Sequence, residues 1–234
     1  TTNGILLTEH AAALRRAGMR RINISLDTLD AEKYKRITRG GDIQRVLDGI
    51  SAARREGFSP IKINVVAMRG INDDEIEDFA RLTIERPVHI RFIEFMPIDV
   101  ATDWDENSFI SSSETREIIS RIGTLQPVDR CGKSGPAEMY QLEGAAGQLG
   151  FISPLSNHFC DTCNRMRLTA DGKLRTCLFA ADEIDLRGPL RQGASDEVIR
   201  GIIRAAIDHR PEKHKLESDH FRKCISRPMV AIGG

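Results

Sequence analysis

Three stretches in the first hundred residues alternate apolar and polar side chains, and helical patterns separate them: RINISLD at 21–27, IKINVVAM at 61–68 and VHIRFIEFM at 88–96. A period of two marks strands, whose side chains project to opposite faces. Strand–helix alternation at this spacing implies a parallel sheet joined by right-handed crossovers. Between the strands the pattern predicts a helix capped by Thr8 and running to about Gly18. A second, capped by Asp42, carries the apolar stripe Ile43, Val46, Leu47, Ile50 and Ala53 and stops at Gly57. A third follows Asn72-Asp73-Asp74-Glu75, which has the form of a capping box.

The two faces of the strands differ. Ile22, Ile24 and Leu26 oppose Asn23, Ser25 and Asp27; Ile61, Ile63 and Val65 oppose Lys62, Asn64 and Val66. Helices cover a parallel sheet with apolar contacts, so the polar set faces the other way. A filled (β/α)8 barrel packs branched apolar side chains inside. Short polar and charged residues there point instead to an open, incomplete barrel with a polar ligand in its lumen, or to an open sheet with one solvated face. After Pro97 the texture changes: Ser111-Ser112-Ser113 precedes a short helix, 129–137 is a loop, and 138–152 reads as strands. The last clear helix is 196–209, with Val198, Ile199, Ile202, Ile203 and Ile207 as its apolar face. The expected division is 1–97, a partial α/β barrel, and 98–234, an α+β extension.

Lys+Arg and Asp+Glu balance at 34 each, which argues against a nonspecific nucleic-acid binder but leaves room for a local phosphate pocket. No apolar run reaches the length of a membrane helix. The odd count of five cysteines disfavours a disulfide framework and favours reduced thiols in a cytoplasmic setting. Cys131 and Cys224 stand apart and read as structural thiols.

Cys160, Cys163 and Cys177 form C-x2-C-x13-C, with Arg165 and Arg167 between the second and third thiols. Asp171-Gly172 predicts a two-residue type I′ hairpin. That turn sets Cys177 opposite Met166 and returns the third thiol to the first pair. Two donor sets remain open. With His158 the thiols make a Cys3His zinc site. Alone, they can hold a [4Fe–4S] cluster with one iron left for another ligand. Arginines two apart on a strand share a face, where they suit a phosphate.

Taken together, TTNG, NISLDTLD, IKINVVAMRG, IRFIEFMP, GPAEMY, FCDTCNRMRLTADGKLRTCLF and the terminal IGG closely resemble the GTP 3′,8-cyclase (molybdenum cofactor biosynthesis protein A) family of radical SAM enzymes. The match is ordered and spans the chain. The resemblance implies an incomplete (β/α)6 TIM-like barrel with a C-terminal extension carrying an auxiliary [4Fe–4S] cluster. It implies S-adenosylmethionine as cofactor, GTP as substrate, and a homodimer. The implied reaction is hydrogen abstraction at C3′ of GTP by an adenosyl radical, then attack on C8 of guanine to give 3′,8-cyclo-GTP. Residue by residue, Cys160, Cys163 and Cys177 match the auxiliary-cluster ligands. Thr1, Lys62, Arg165, Met166 and Arg167 match GTP contacts, and Ser25 and Met96 match the S-adenosylmethionine site. Gly233 and Gly234 match a terminal diglycine that takes part in catalysis.

One departure is severe. The sequence contains no C-x3-C-x2-C, the ligand set of the SAM-cleaving cluster. That second [4Fe–4S] cluster is expected in a preceding part of the protein, and this chain alone is expected to generate no radical. RINISLD is then expected to sit at a sheet edge. Another radical SAM protein with an auxiliary cluster, or a zinc-containing nucleotide- or nucleic-acid-binding module, are the competing readings.

Overall fold

The alternating segments are strands. In chain order the elements are α1 (Leu7–Arg16), β1 (Ile22–Ser25), α2 (Ala31–Ile37), α3 (Ile43–Arg55), β2 (Ile61–Ala67), α4 (Ile76–Glu85), β3 (Val88–Glu94), α5 (Ser112–Ser120), β4 (Leu125–Pro127), β5 (Glu138–Leu142) and β6 (Gln148–Ile152). They continue with β7 (Arg167–Leu168), β8 (Lys173–Arg175), β9 (Ile184–Asp185), α6 (Arg187–Arg191) and α7 (Asp196–Asp208). The structure, a computed structural model, describes residues 1–98, 106–129, 135–180, 182–214 and 231–232. Cys131, Cys224, Gly233 and Gly234 lie outside the described residues.

Two units result. The first comprises Thr1–Phe95 and Asn107–Asn157; the second comprises Met96–Glu106 and His158–Gly234. The division expected from sequence, 1–97 and 98–234, differs in where 107–157 falls. The reason is pairing: β6 lies parallel to β3 in the register Ile90 with Leu149 and Phe92 with Phe151. The strands after α5 therefore extend the first sheet, whose order is β1-β2-β3-β6-β5-β4. Its first four members are parallel, and β5 and β4 are antiparallel additions. The architecture is α/β.

The core of the first unit lies on the helix side of this sheet. Ile22, Ile24, Ile61, Ile63, Val65, Val88, Ile90, Phe92, Leu149 and Phe151 are buried there with Leu7, Val46, Phe79 and Ala80 from the helices. Phe92 stacks on Phe151 at 6.0 Å and meets Phe79 edge-on at 6.4 Å. Gly4 and Gly49 let α1 approach α3: a Cβ on Gly49 would stand 2.6 Å from the Gly4 carbonyl oxygen. Gly4 itself has φ +82°, a conformation that side chains with a Cβ rarely adopt.

Local signals fared unevenly. Asp42 caps α3 by accepting from the Gln44 N–H. Thr8 does not cap α1; the chain turns at Gly4, whose carbonyl accepts from Leu7 N–H, and Leu6 occupies the cap position. α2 follows an Asp30 cap that the reading of the sequence passed over. Asn72 holds the cap position of a 3-10 turn, Asp73–Glu75, but makes no side-chain cap bond. Its side chain donates to the Asp27 and Val66 carbonyls and accepts from Met68 N–H, tying off the ends of β1 and β2. RINISLD is the edge strand; besides its pairing with β2, the described residues give it one parallel bridge, from Thr2 to Ile24.

The second unit has smaller cores. Leu174, Leu186 and Ala206 pack with Ile184, Ile202 and Ile203. Ile98 and Ile232 pack with Met96, Leu178 and Phe179. Only part of the expected α7 stripe is used, since Val198 and Ile207 are about half exposed, at 51% and 50%. Among the described residues no helix is long and apolar enough to cross a membrane.

Candidate functional site

The parallel register of β1, β2, β3 and β6 turns an alternating sequence into rows across the sheet. One row is Asn23, Lys62, His89 and Gln148; the next is Ser25, Asn64, Arg91 and Gly150. These residues lie on the face opposite the apolar core, as period-two geometry requires. Thr1 joins the first row, its hydroxyl accepting from the Asn23 amide at 3.4 Å. Lys62 carries the positive charge of this row, and Arg91 that of the next. Burial, then the charges of Lys62 and Arg91, lower the pKa of His89 to about 4, so its imidazole is neutral at pH 7. Asn64 Oδ1 is buried without a hydrogen-bond partner among the described residues. Asp27 continues the polar phase of β1. Burial raises its pKa against the opposing effect of the hydrogen bond it accepts from Val66 N–H at 2.8 Å.

The cysteines occupy the second unit. Cys160 opens a single 3-10 turn to Thr162, and Cys163 N–H donates to the Cys160 carbonyl at 3.1 Å. This tight turn sets the first two thiols. Cys177 follows β8 by two residues. The hairpin register differs from the expected one by a residue: Arg167 faces Arg175 and Leu168 faces Leu174. The cause is the loop. Gly172 N–H donates to Thr169 O and Thr169 N–H to Lys173 O, so three residues make the turn. Only Gly172, at φ +81°, is left-handed, as in a type I turn closed by a bulge rather than a type I′ turn. Cys177 therefore does not pair with Met166.

All three thiols are free and half-buried. Burial pushes the Cys163 thiol up, but the Arg165 N–H and the Arg210 and Arg165 charges outweigh it, and its pKa is lowered overall. Arg210 also donates to the Cys163 carbonyl at 2.6 Å. Arg165 lies over the Phe159 ring at 4.9 Å, and His158 packs edge-on against His214 at 5.3 Å. Among the described residues no three His, Cys, Asp or Glu side chains converge to hold a single metal ion. A multi-iron cluster spreads its thiolates over separate metal atoms and asks for less convergence. Three soft, free thiols beside arginines fit that group.

Arg175 is the most buried charge of this hairpin, 2% exposed. It pairs with Glu183 at 2.9 Å and donates to the Ala180 carbonyl. Arg167 faces it, and burial, then the charges of Arg165 and Arg175, lower the Arg167 pKa. Such cationic crowding is relieved by an anion.

The predicted site residues thus fall into two sets. Thr1, Ser25 and Lys62 share the polar side of the first unit. Met96, Cys160, Cys163, Arg165, Met166, Arg167 and Cys177 belong to the second, where Met96 packs with Leu178 and Phe179, the two residues after Cys177. Met166 is exposed, at 41%. Reading the sequence missed His89, Arg91, Gln148, Arg175 and Arg210. His89 and Arg91 share the phase of Lys62 and were within reach of the alternation argument.

A sheet with a polar row and a separate thiol hairpin defines a class. The Radical SAM superfamily profile matches residues 1–83, and the Molybdenum Cofactor Synthesis C profile matches residues 88–216. Radical SAM proteins use a [4Fe–4S] cluster and S-adenosylmethionine. The chain is 49% identical over 234 residues to a GTP 3′,8-cyclase from Alkaliphilus oremlandii, covering 100% of this chain and 71% of that protein. It is 48% identical, with the same coverage, to the enzyme of that name from Moorella thermoacetica. Over 235 residues it is 50% identical to the one from Thermodesulfovibrio yellowstonii, again with 100% and 71% coverage. The chain belongs to the GTP 3′,8-cyclase family.

Proposed function

We propose that this chain acts within a radical SAM GTP 3′,8-cyclase, joining C3′ to C8 of GTP in the first step of molybdenum cofactor biosynthesis. The observation that carries this reading is identity near one half, over the whole chain, to relatives bearing that name. The fold is read as an incomplete (β/α)6 barrel followed by an Fe–S extension.

Cys160, Cys163 and Cys177 would hold the auxiliary [4Fe–4S] cluster. When bound, that cluster supplies a Lewis-acidic iron to which the guanine base can coordinate. The protein's own groups do the rest. Lys62 and Thr1, with Arg165, Met166 and Arg167, bind GTP. Arginines facing a phosphate form charge-assisted bonds worth about 1.5–3 kcal/mol each. The pKa values of Arg167 and His89 are lowered first by burial and then by neighbouring cations, and those neighbouring charges favour a bound anion. Ser25 and Met96 are assigned to S-adenosylmethionine. Gly233 and Gly234 are assigned a part in catalysis. In support, Ile232 is fully buried beside Met96 and Leu178, which anchors the residue before them. The SAM-cleaving [4Fe–4S] cluster has no matching cysteine motif in this sequence. A homodimer in the cytoplasm completes the reading.

The test is anaerobic turnover of the full-length holoenzyme with GTP, S-adenosylmethionine and a reductant. The expected product is 3′,8-cyclo-GTP, formed by a brown, iron- and sulfide-containing protein. A colourless preparation with one zinc per chain, or no GTP-dependent product, overturns the proposal. Residues appended after Gly234 are expected to abolish cyclisation; undiminished turnover removes the diglycine from the site.

A further inference from the structure

Glu94 ends β3 and is 2% exposed, on the helix side of the sheet with Val88, Ile90 and Phe92. Among the described residues, each hydrogen-bond partner of its carboxylate is a donor. Oε1 accepts from Ser112 N–H at 3.0 Å and from the Ser156 hydroxyl. Oε2 accepts from Leu155 N–H at 2.9 Å and from Ser156 N–H at 3.0 Å. The Ser112 hydroxyl accepts in turn from Ser153 at 2.7 Å. A site made only of donors calls for an ionised carboxylate, which has acceptors alone. Burying that charge is costly unless it is fully hydrogen-bonded, and here it is the acceptor for three backbone N–H groups that an apolar side chain would leave unsatisfied. The charge therefore has work beyond packing.

Its place along the chain shows what that work is. The chain leaves the first unit after Phe95 and again after Asn157, and it re-enters at Asn107. Glu94 immediately precedes the first exit, and Ser156 immediately precedes the second. Ser112 opens α5, the first α-helix after the return. All three crossings are thus tied to one carboxylate from within the first unit. Just beyond the exits come Met96 on one strand of chain and the Cys160–Thr162 turn on the other.

We infer that Glu94 is a positioning residue: its carboxylate fixes the departure points of the two segments that carry Met96 and the paired cysteines, and so couples radical formation to GTP cyclisation. The inference rests on the proposed cyclase function and goes beyond it. Glu94 acts through backbone N–H groups and the Ser156 hydroxyl.

Glu94→Gln keeps the shape but turns an amide NH2 toward a backbone N–H whichever way it is placed. Two readouts apply to the full-length holoenzyme. Hydrogen exchange at amides 153–163 is expected to speed up about 10-fold, the scale of one lost charge-assisted bond, with α3 amides unchanged. The ratio of 5′-deoxyadenosine formed to GTP cyclised is expected to rise at least about threefold. A general loss of stability would raise exchange everywhere and lower both products together. That result, or an unchanged ratio, overturns the inference. Should Glu94→Gln not accumulate as folded protein, Ser156→Ala removes one hydroxyl donor only. It is expected to move the ratio in the same direction, and no movement there also overturns the inference. Failure of the cyclase reading is distinct: the unaltered enzyme would then form no cyclised product, while the exchange measurement would still judge Glu94.

Discussion

The two units hold their functional groups by different means. In the first, Lys62, His89 and Gln148 stand on neighbouring strands of a sheet with a broad apolar core, and their spacing is the register itself. In the second, the thiols sit on a one-turn helix and beyond a hairpin whose strands β7 and β8 run two and three residues. Its buried clusters are small, Leu174, Leu186 and Ala206 in one and Ile98 and Ile232 in the other. A sheet row is preorganised before any ligand arrives. A thiol hairpin of this size draws much of its order from the group it binds, as small metal-holding folds do.

The strongest way to break this contrast is to remove the cluster. Cys163→Ala in the full-length protein is expected to abolish auxiliary-cluster iron and GTP cyclisation. Exchange protection should be lost in β7–β9 and kept in β2 and β3; equal loss in both units would show that the contrast is false. Next comes Arg175→Ala, which removes an ion-pair partner from Glu183 and a donor from the Ala180 carbonyl. Breaking a buried pair costs about 3–5 kcal/mol. Unfolding should fall by that scale in the second unit, and denaturant midpoints read by probes on each unit would reveal it. Lys62→Ala leaves the sheet intact and should weaken GTP binding about 10- to 100-fold, the range for one charge-assisted contact. Calorimetric titration with GTP checks it, and unchanged affinity removes Lys62 from the site.

The smallest effect concerns His89. Its folded pKa of about 4 lies below the ordinary 6.5, so the unfolded chain takes up the proton first as pH falls. Its contribution is complete above pH 6.5 and is lost between there and pH 4. Partial solvation of the ring limits this to about 1 kcal/mol. His89→Gln should flatten the stability profile over that window, and an unchanged slope would place the titration elsewhere.

How much was legible in the sequence follows the same contrast. Alternation placed Ile61, Ile63 and Val65 inward and Lys62 outward, because period two is a property of every strand. The cysteine spacing and the arginines between them were legible as a motif. Their geometry was not, since one left-handed residue in place of two shifted the hairpin by a position. Asn72 looked like a cap because its neighbours are acidic, but burial turned its amide toward the strand ends. The place of 107–157 was invisible for another reason: nothing in β6 alone says which strand it will pair with. Glu94 sat unremarked in an apolar run, since its four donors come from residues far along the chain.

The pairing of β6 with β3 also orders events during synthesis. The first unit cannot complete its sheet until Ile152 has left the ribosome, and Met96 and Ile98 must wait longer still for Leu178, Phe179 and Ile232. Until then the open side of β3 is exposed to wrong partners, so a nascent chain of this family has a long interval in which a chaperone can intervene.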